Sequence, residues 1–185
     1  MKIHPLLLKR QSRRAIDPGR PLPAEVVESL IEAFRWAPSS GNAQPWRLIL
    51  LEEEEAKRRL SAALSPGNQA WAPRAPLLMV VACDMFEQPS RNGWSQAILS
   101  CGLALENLLL QGTHLGLVIH AMAGWDEAGV REAVGLPEGL DVVCLVAVGY
   151  PGKLDELDEE TQRKEKAPRV RKDPKTFVHR NRWGG

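Results

Sequence analysis

The stretch from Trp94 to Thr113 limits the possible fold more than any other part of this chain. Ile98, Leu99, Leu103, Leu105, Leu108 and Leu110 point in nearly every direction around a helix. Only narrow strips at Gln96, Ser100, Asn107 and Gln111, and at Ser95 and Glu106, are polar. A helix that is apolar all round has to be buried all round. With 185 residues the chain can build one core but not two ordinary domains, so one subunit cannot easily seal such a helix. Part of its surface is therefore expected to pack against a second copy. Gly102 would allow two backbones to approach closely, and a twofold dimer is the commonest way to cover such a patch.

A formal net charge of +1 gives no global field to draw in nucleic acid or an acidic membrane surface, so neither is expected as a partner. The apolar run near the N-terminus, Leu6-Leu7-Leu8, is too short for a signal-peptide core, and no uninterrupted apolar span could cross a bilayer. A cytoplasmic location is expected. The three cysteines, Cys83, Cys101 and Cys144, lie far apart within apolar patterns and read as small buried hydrophobes in a reducing compartment.

Taken in order, the chain reads as one domain over 1–185 without internal repeats. A short helix is expected from Ile3 to Arg13, then a turn at Asp17-Pro18-Gly19, then an amphipathic helix from Pro23 to Trp36. Trp46 to Leu51 reads as a strand and Glu52 to Leu64 as a charged helix, with Ser65 to Gln69 as its stop. The near-continuous apolar run Leu77 to Asp84 reads as a strand buried on both faces. Leu115 to Met122 and Val142 to Val148 supply two more strands, and between them a helix from Asp126 to Val134 stops at Gly135. Beyond Leu154 the chain is charged and almost without apolar residues until Phe177. It cannot form its own core and must lie across something else.

Two stretches carry chemistry. In Ala37-Pro38-Ser39-Ser40-Gly41-Asn42-Ala43-Gln44-Pro45, prolines bracket small hydroxyls, a glycine and two carboxamides. The loop has little to bury, and its neutral donors and acceptors suit a flat heteroaromatic with several polar edge atoms. In Arg10-Gln11-Ser12-Arg13-Arg14, arginines at alternating positions flank a serine, a natural grip for one phosphate group.

Together these stretches resemble the nitroreductase family of FMN-dependent flavoproteins, which carries an Arg-x-Ser-x-Arg near its start and an Ala-Pro-Ser-x-x-Asn-x-Gln-Pro-Trp before its first main strand. Leu136-Pro137-Glu138-Gly139 and Val148-Gly149-Tyr150-Pro151 also look like later family landmarks, and the likeness is weakest after Gly152. The resemblance implies an α+β fold with a mainly antiparallel central sheet flanked by helices. It also implies an intertwined homodimer in which residues 153–185 form an arm across the partner. FMN would be the cofactor, and NADH or NADPH a transient electron donor. Arg10 and Ser12, joined by Arg169 or Arg171 from the arm, would hold the phosphate, and Arg14 would tune the flavin's potential. Gln69, or Asn68 beside it, would meet the pyrimidine edge. Pro38, Ser39, Ser40 and Asn42 would contact the ring from the opposite subunit, and Ala123 and Gly124 would offer backbone N–H groups. The short segment Met85 to Asn92, where relatives often carry a lid, implies an open pocket.

The expected activity is hydride transfer from NAD(P)H through the flavin to a nitroaromatic or quinone, without a catalytic side chain. Two alternatives remain open: a divergent flavin enzyme of reductive dehalogenase type, and an FMN-binding protein without useful turnover. Ser39 and Ser40 have no histidine nearby and no nucleophile elbow, and His114 and His120 lack the companions of a metal site. The glycines at 112, 116 and 124 make no dinucleotide fingerprint, so a nicotinamide cofactor would not be resident.

Overall fold

In the computed structural model, which describes residues 3–87 and 95–184, the chain runs α1 (Pro5–Lys9), α2 (Ala24–Arg35), β1 (Trp46–Leu51), α3 (Glu54–Ala62), α4 (Pro66–Gln69), β2 (Leu77–Asp84), α5 (Gln96–His114), β3 (Val118–Met122), α6 (Glu127–Val134), β4 (Leu140–Gly149) and α7 (Glu159–Lys166). The four strands form one sheet in the order β1-β2-β4-β3, antiparallel throughout. The expected α+β class, with a mainly antiparallel sheet flanked by helices, is what the chain adopts.

β2 is the middle of the molecule. Its odd-numbered residues, Leu77, Met79 and Val81, join one core with Leu30 and Phe34 of α2 and Ala104 and Leu108 of α5. Its even-numbered residues, Leu78 and Val80, join a second core with Leu60, Trp71, Val130 and Leu145 on the other face. Period-two alternation thus sends one strand into two cores, which is why its sequence is apolar without a break.

Several boundaries differ from the sequence expectation for identifiable reasons. α1 ends at Lys9 rather than Arg13, because Arg10 turns to ψ 124 and leaves the helix. The Arg10 to Arg14 segment is therefore not the end of a helix. Ser65 to Gln69 is more than a stop, since Pro66 at the first helical position starts the one-turn α4. β3 begins at Val118, after Gly116 takes φ 74. The charged tail contains α7, capped by Asp158, whose side chain accepts from the Thr161 N–H. Leu157 and Thr161 are buried beneath it. Of the segment Met85 to Asn92, residues 88–92 lie outside the described residues, as does Trp94.

α5 orients its polar strip inward. Asn107 Nδ2 donates to the Ala33 carbonyl at 3.1 Å and Gln111 Nε2 to Ser29 Oγ at 2.8 Å, both on α2. The side left outward is apolar: Ile98, Leu99 and Leu103 are 48%, 58% and 41% exposed, and a Cβ at Gly102 would meet nothing within 4 Å. Among the described residues no helix is long and apolar enough to cross a membrane.

Residues 15–17 run beside 150–152 at the end of β4. Ile16 bridges Pro151, Gly152 N–H donates to Ala15 O and Asp17 N–H to Tyr150 O, each at 2.9 Å. Gly152 is required here, because a Cβ would lie 2.5 Å from the Ile16 carbonyl carbon and 2.7 Å from Asp17 N. Gly152→Ala should lower the unfolding free energy by about 1–3 kcal/mol, since backbone rather than a flexible side chain would have to move. Urea titration would show this loss, with Gly67→Ala, which meets no neighbour within 4 Å, as the variant that keeps wild-type stability.

Candidate functional site

The chain turns at Ser12, where Arg13 N–H donates back to the Gln11 carbonyl at 3.0 Å, and the half-buried Arg10 and Arg14 both act electrostatically on His120 while Arg13 is exposed. Arg10 Nη1 donates to Ser12 Oγ at 3.2 Å. The peptide linking Arg13 to Arg14 is held at both polar atoms: His120 Nδ1 lies 3.0 Å from the Arg13 carbonyl, and Glu165 Oε1 of α7 accepts from the Arg14 N–H. The same carboxylate oxygen accepts from Ala15 N–H at 3.1 Å. From the tail, Arg169 Nη1 donates to the Leu8 carbonyl, which brings a third guanidinium to this end of the molecule. Arg171 instead folds back on its own backbone, with Nη1 2.9 Å from Val170 O.

Arg10 and Arg14 are half-buried, yet neither has a carboxylate within ion-pair distance of its guanidinium among the described residues. Other half-buried arginines are neutralised, Arg47 by Glu87, Arg74 by Glu156 and Arg131 by Glu127 and Asp141. Partly buried positive charge without a protein counter-ion is chemically able to accept an anion.

A second group of expected residues gathers at the end of β3. Asn68 Nδ2 and Ser65 N–H both donate to the Gly124 carbonyl at 3.0 Å. A Cβ on Gly124 would overlap Ser65 Oγ and come within 3.2 Å of Asn68 Nδ2, so only glycine permits this approach. Ala123 beside it is exposed. The carboxamide brought to this stretch is that of Asn68. Gln69 Nε2 instead donates to Leu64 O at 2.9 Å and Ala62 O at 3.3 Å. His120 ties the two groups together, since it sits on β3 and touches the Arg13 carbonyl.

The 38–45 loop is elsewhere. It feeds β1, one edge strand, whereas β3 is the other edge. Three inter-strand spacings of about 4.8 Å separate those edges. Gly41, Asn42 and Gln44 all take left-handed backbone, at φ 61, 55 and 51. For glutamine that is uncommon, and such strain collects where a loop has to present itself to a ligand. Ser39 Oγ braces the loop by accepting from Gln44 N–H at 3.0 Å, and Gln44 Nε2 lies 3.3 Å from Asn42 O and Oδ1. Ser40 opens the 3-10 turn Ser40–Asn42, and Pro38 is exposed. A cleft of about 410 Å³ between α3 and α6, lined by Arg58, Arg59, Asp126 and Glu132 among others, includes none of the expected residues.

The three cysteines are buried and free, and the hydrogen bond with Cys101 lowers the pKa of the Cys83 thiol. Burial pushes the Cys144 thiol up to about 12, and Cys101 is raised by its hydrogen bond with Cys83 and by burial. Among the described residues no group of histidine, cysteine and carboxylate side chains could hold a metal. Sequence reasoning missed Glu165 and treated His120 as packing. Nothing near Glu165 in the chain signals that its partner lies 151 residues away.

His120 is 8% exposed and stacked on the fully buried Trp71, with ring centroids 4.6 Å apart. Burial lowers its pKa from 6.5 to about 4 against the raising effect of the Arg13 hydrogen bond, and the charges of Arg14 and Arg10 lower it further. Below pH 6.5 the unfolded chain takes up a proton here that the folded chain refuses until about pH 4. Stability from this group is therefore complete above pH 6.5, falls as pH drops through that window, and levels off below it. The fall is on the order of 3 kcal/mol. Urea midpoints measured between pH 7 and pH 4 should show this slope, and His120→Asn should flatten it.

Comparison with known proteins gives a consistent answer. The family model of the nitroreductase family matches residues 7–70 and 61–150. A protein of Thermus thermophilus named NADH dehydrogenase is 29% identical over 181 residues, spanning 79% of this chain and 85% of that protein. The crystal structure of an oxidoreductase containing FMN superposes with a TM-score of 0.89 at 28% identity, covering 100% of this chain and 94% of that one. A nitroreductase family protein of Clostridium difficile superposes at 0.80, also at 28% identity, covering 98% and 99%.

Proposed function

The chain belongs to the nitroreductase family, and from that premise we propose that it is an FMN-dependent oxidoreductase passing a hydride from NADH or NADPH to an oxidised acceptor such as a nitroaromatic or a quinone. One observation carries this reading: the half-buried Arg10 and Arg14, both close enough to act on His120, have no carboxylate counter-ion among the described residues, with Ser12 Oγ at Arg10 and Arg169 reaching the Leu8 carbonyl.

The donor set fits FMN part by part. Arg10, Ser12 and Arg169 would hold the phosphate through charge-assisted hydrogen bonds. Arg171, bent onto its own backbone, would have to reorient to join them. Arg14 would present positive charge to the pyrimidine edge and favour uptake of negative charge there. Asn68 is better placed than Gln69 to meet the ring, because it already stands against Gly124. When bound, FMN supplies the chemistry itself, accepting and releasing a hydride at N5. The protein's part is to bind, orient and tune. One open pocket would serve donor and acceptor in turn, which makes the kinetics ping-pong.

The site would be complete only in a dimer. Pro38, Ser39, Ser40 and Asn42 stand at the far edge of the sheet from Arg10 and Gly124, so the loop over a given cofactor would come from a second copy. The outward apolar face of α5 supplies a surface for that copy, and the tail beyond residue 153 would extend across it, carrying the exposed Phe177, Val178 and Trp183.

Two outcomes test this function. The purified protein should bind FMN, and anaerobic NADPH or NADH should bleach the band at about 450 nm within the mixing time. A protein that holds FMN without bleaching is a carrier, and one that ignores FMN is not a flavoprotein at all. Leu103→Glu should place charge in the apolar α5 face, convert the dimer to monomer in sedimentation, and weaken FMN at least about tenfold, since half the contacts would leave. A monomeric variant with wild-type affinity would show that one subunit suffices.

A further inference from the structure

We infer that His120 is a positioning residue for the phosphate grip: its Nδ1–H fixes the Arg13 carbonyl and so sets the backbone turn on which Ser12 meets Arg10. The inference rests on the reading of this segment as an FMN phosphate site. A peptide unit carries one C=O and one N–H in a single plane, so holding both fixes the plane's rotation about the chain. The Arg13–Arg14 peptide is held in that way by two side chains from distant elements. His120 of β3 takes the carbonyl at 3.0 Å, and Glu165 of α7 takes the N–H. If this plane turned, the turn closed by Arg13 N–H on the Gln11 carbonyl at 3.0 Å would turn with it, and Ser12 would leave its 3.2 Å contact with Arg10.

The tautomer follows from the partner. A carbonyl only accepts, so the hydrogen is on Nδ1, and in the neutral ring Nε2 is bare. The groups around the ring favour that state. Trp71 stacks on one face and excludes water, while the charges of Arg10 and Arg14 oppose a further positive charge. Glu165, at the same peptide, is engaged by the N–H groups of Arg14 and Ala15. A histidine here thus combines a flat ring that fills the space against Trp71 with one fixed donor.

Two substitutions separate the ring from the donor. His120→Phe keeps a ring against Trp71 and removes the donor, whereas His120→Asn loses the ring and keeps a donor near the Nδ1 position. Binding is read by fluorescence titration with FMN and, separately, with riboflavin, which has the same ring and ribityl chain but no phosphate. His120→Phe should raise the Kd for FMN roughly 3- to 10-fold, the worth of one hydrogen bond, and leave the Kd for riboflavin within about twofold. His120→Asn should stay within about twofold of wild type for both. Equal losses for FMN and riboflavin, wild-type FMN affinity in His120→Phe, or a His120→Asn variant as weak as His120→Phe would each overturn the assignment. If thermal melts show that the variants do not fold, the wild-type protein decides: 15N shifts of His120 should report hydrogen on Nδ1 and a bare Nε2, and the reverse tautomer overturns it. A wild-type protein that binds neither FMN nor riboflavin would instead overturn the flavin reading as a whole, so the two failures are distinguishable.

Discussion

The burial of β2 on both faces is the constraint from which the rest of the architecture follows. A strand that sends Met79 and Val81 to one core and Leu78 and Val80 to another cannot lie at an edge, so it needs a strand on each side and a helical layer above and below. β1 and β4 take the flanking places, and β3, paired only with β4, becomes an edge. That order puts the loop leading into β1 at one limit of the sheet. It puts the Arg10 to Arg14 segment, tied to β3 through His120 and to residues 150–152 beyond β4, at the other. The two stretches with the clearest chemistry are kept apart by the same packing that makes the domain stable.

That separation gives the exposed face of α5 its meaning. Most long helices solve the problem of an apolar surplus by turning polar residues to solvent. Here Asn107 and Gln111 are turned inward, where they bond to α2, and Ile98, Leu99 and Leu103 are left outside. Inward polar bonds fix the rotation of α5 on α2, so the helix cannot roll to hide its leucines. An apolar face held outward in this way would be covered by another apolar face, and a second copy of the same chain would supply one by symmetry. The proposed dimer and its two-sided site would then both follow from one helix orientation.

Much of this was legible in the sequence, and what was not has physical reasons. Trp46–Leu51 and Leu77–Asp84 stand where their apolar runs put them, and α6 is bounded by its own signals, Asp126 capping Gly129 N–H and Gly135 at φ 63. α4 is one turn long, too short for periodicity to speak. α7 has no apolar stripe, because its contact with the core is made through Leu157 before it and Thr161 within it. The expected site residues divide in the same manner. Arg10, Ser12 and Arg14 attract notice by their spacing, and the 3.2 Å contact of Arg10 with Ser12 supports the proposed grip. Asn68 and Gln69 are adjacent and chemically alike, and which of them meets Gly124 depends on the turn of α4. Glu165 and His120 act through contacts 151 and 107 residues distant, and no local pattern marks them.

The electrostatics of the N-terminal segment suit the proposed anion site. Arg10 and Arg14 are half-buried, Arg169 reaches the Leu8 carbonyl, and Glu165 accepts from backbone N–H groups rather than from a guanidinium. Like charges in such proximity destabilise the free protein, and the neighbouring histidine is held neutral by burial and by those same cations. An arrangement that raises the energy of the empty site favours an anionic ligand by the same amount on binding, when the repulsion is relieved. A doubly charged phosphate answers that need better than a carboxylate, because its several oxygens can accept from Arg10, Ser12 and Arg169 together. On the inferred role of His120, holding the Arg13–Arg14 peptide at both of its polar atoms would keep the grip in place before the anion arrives.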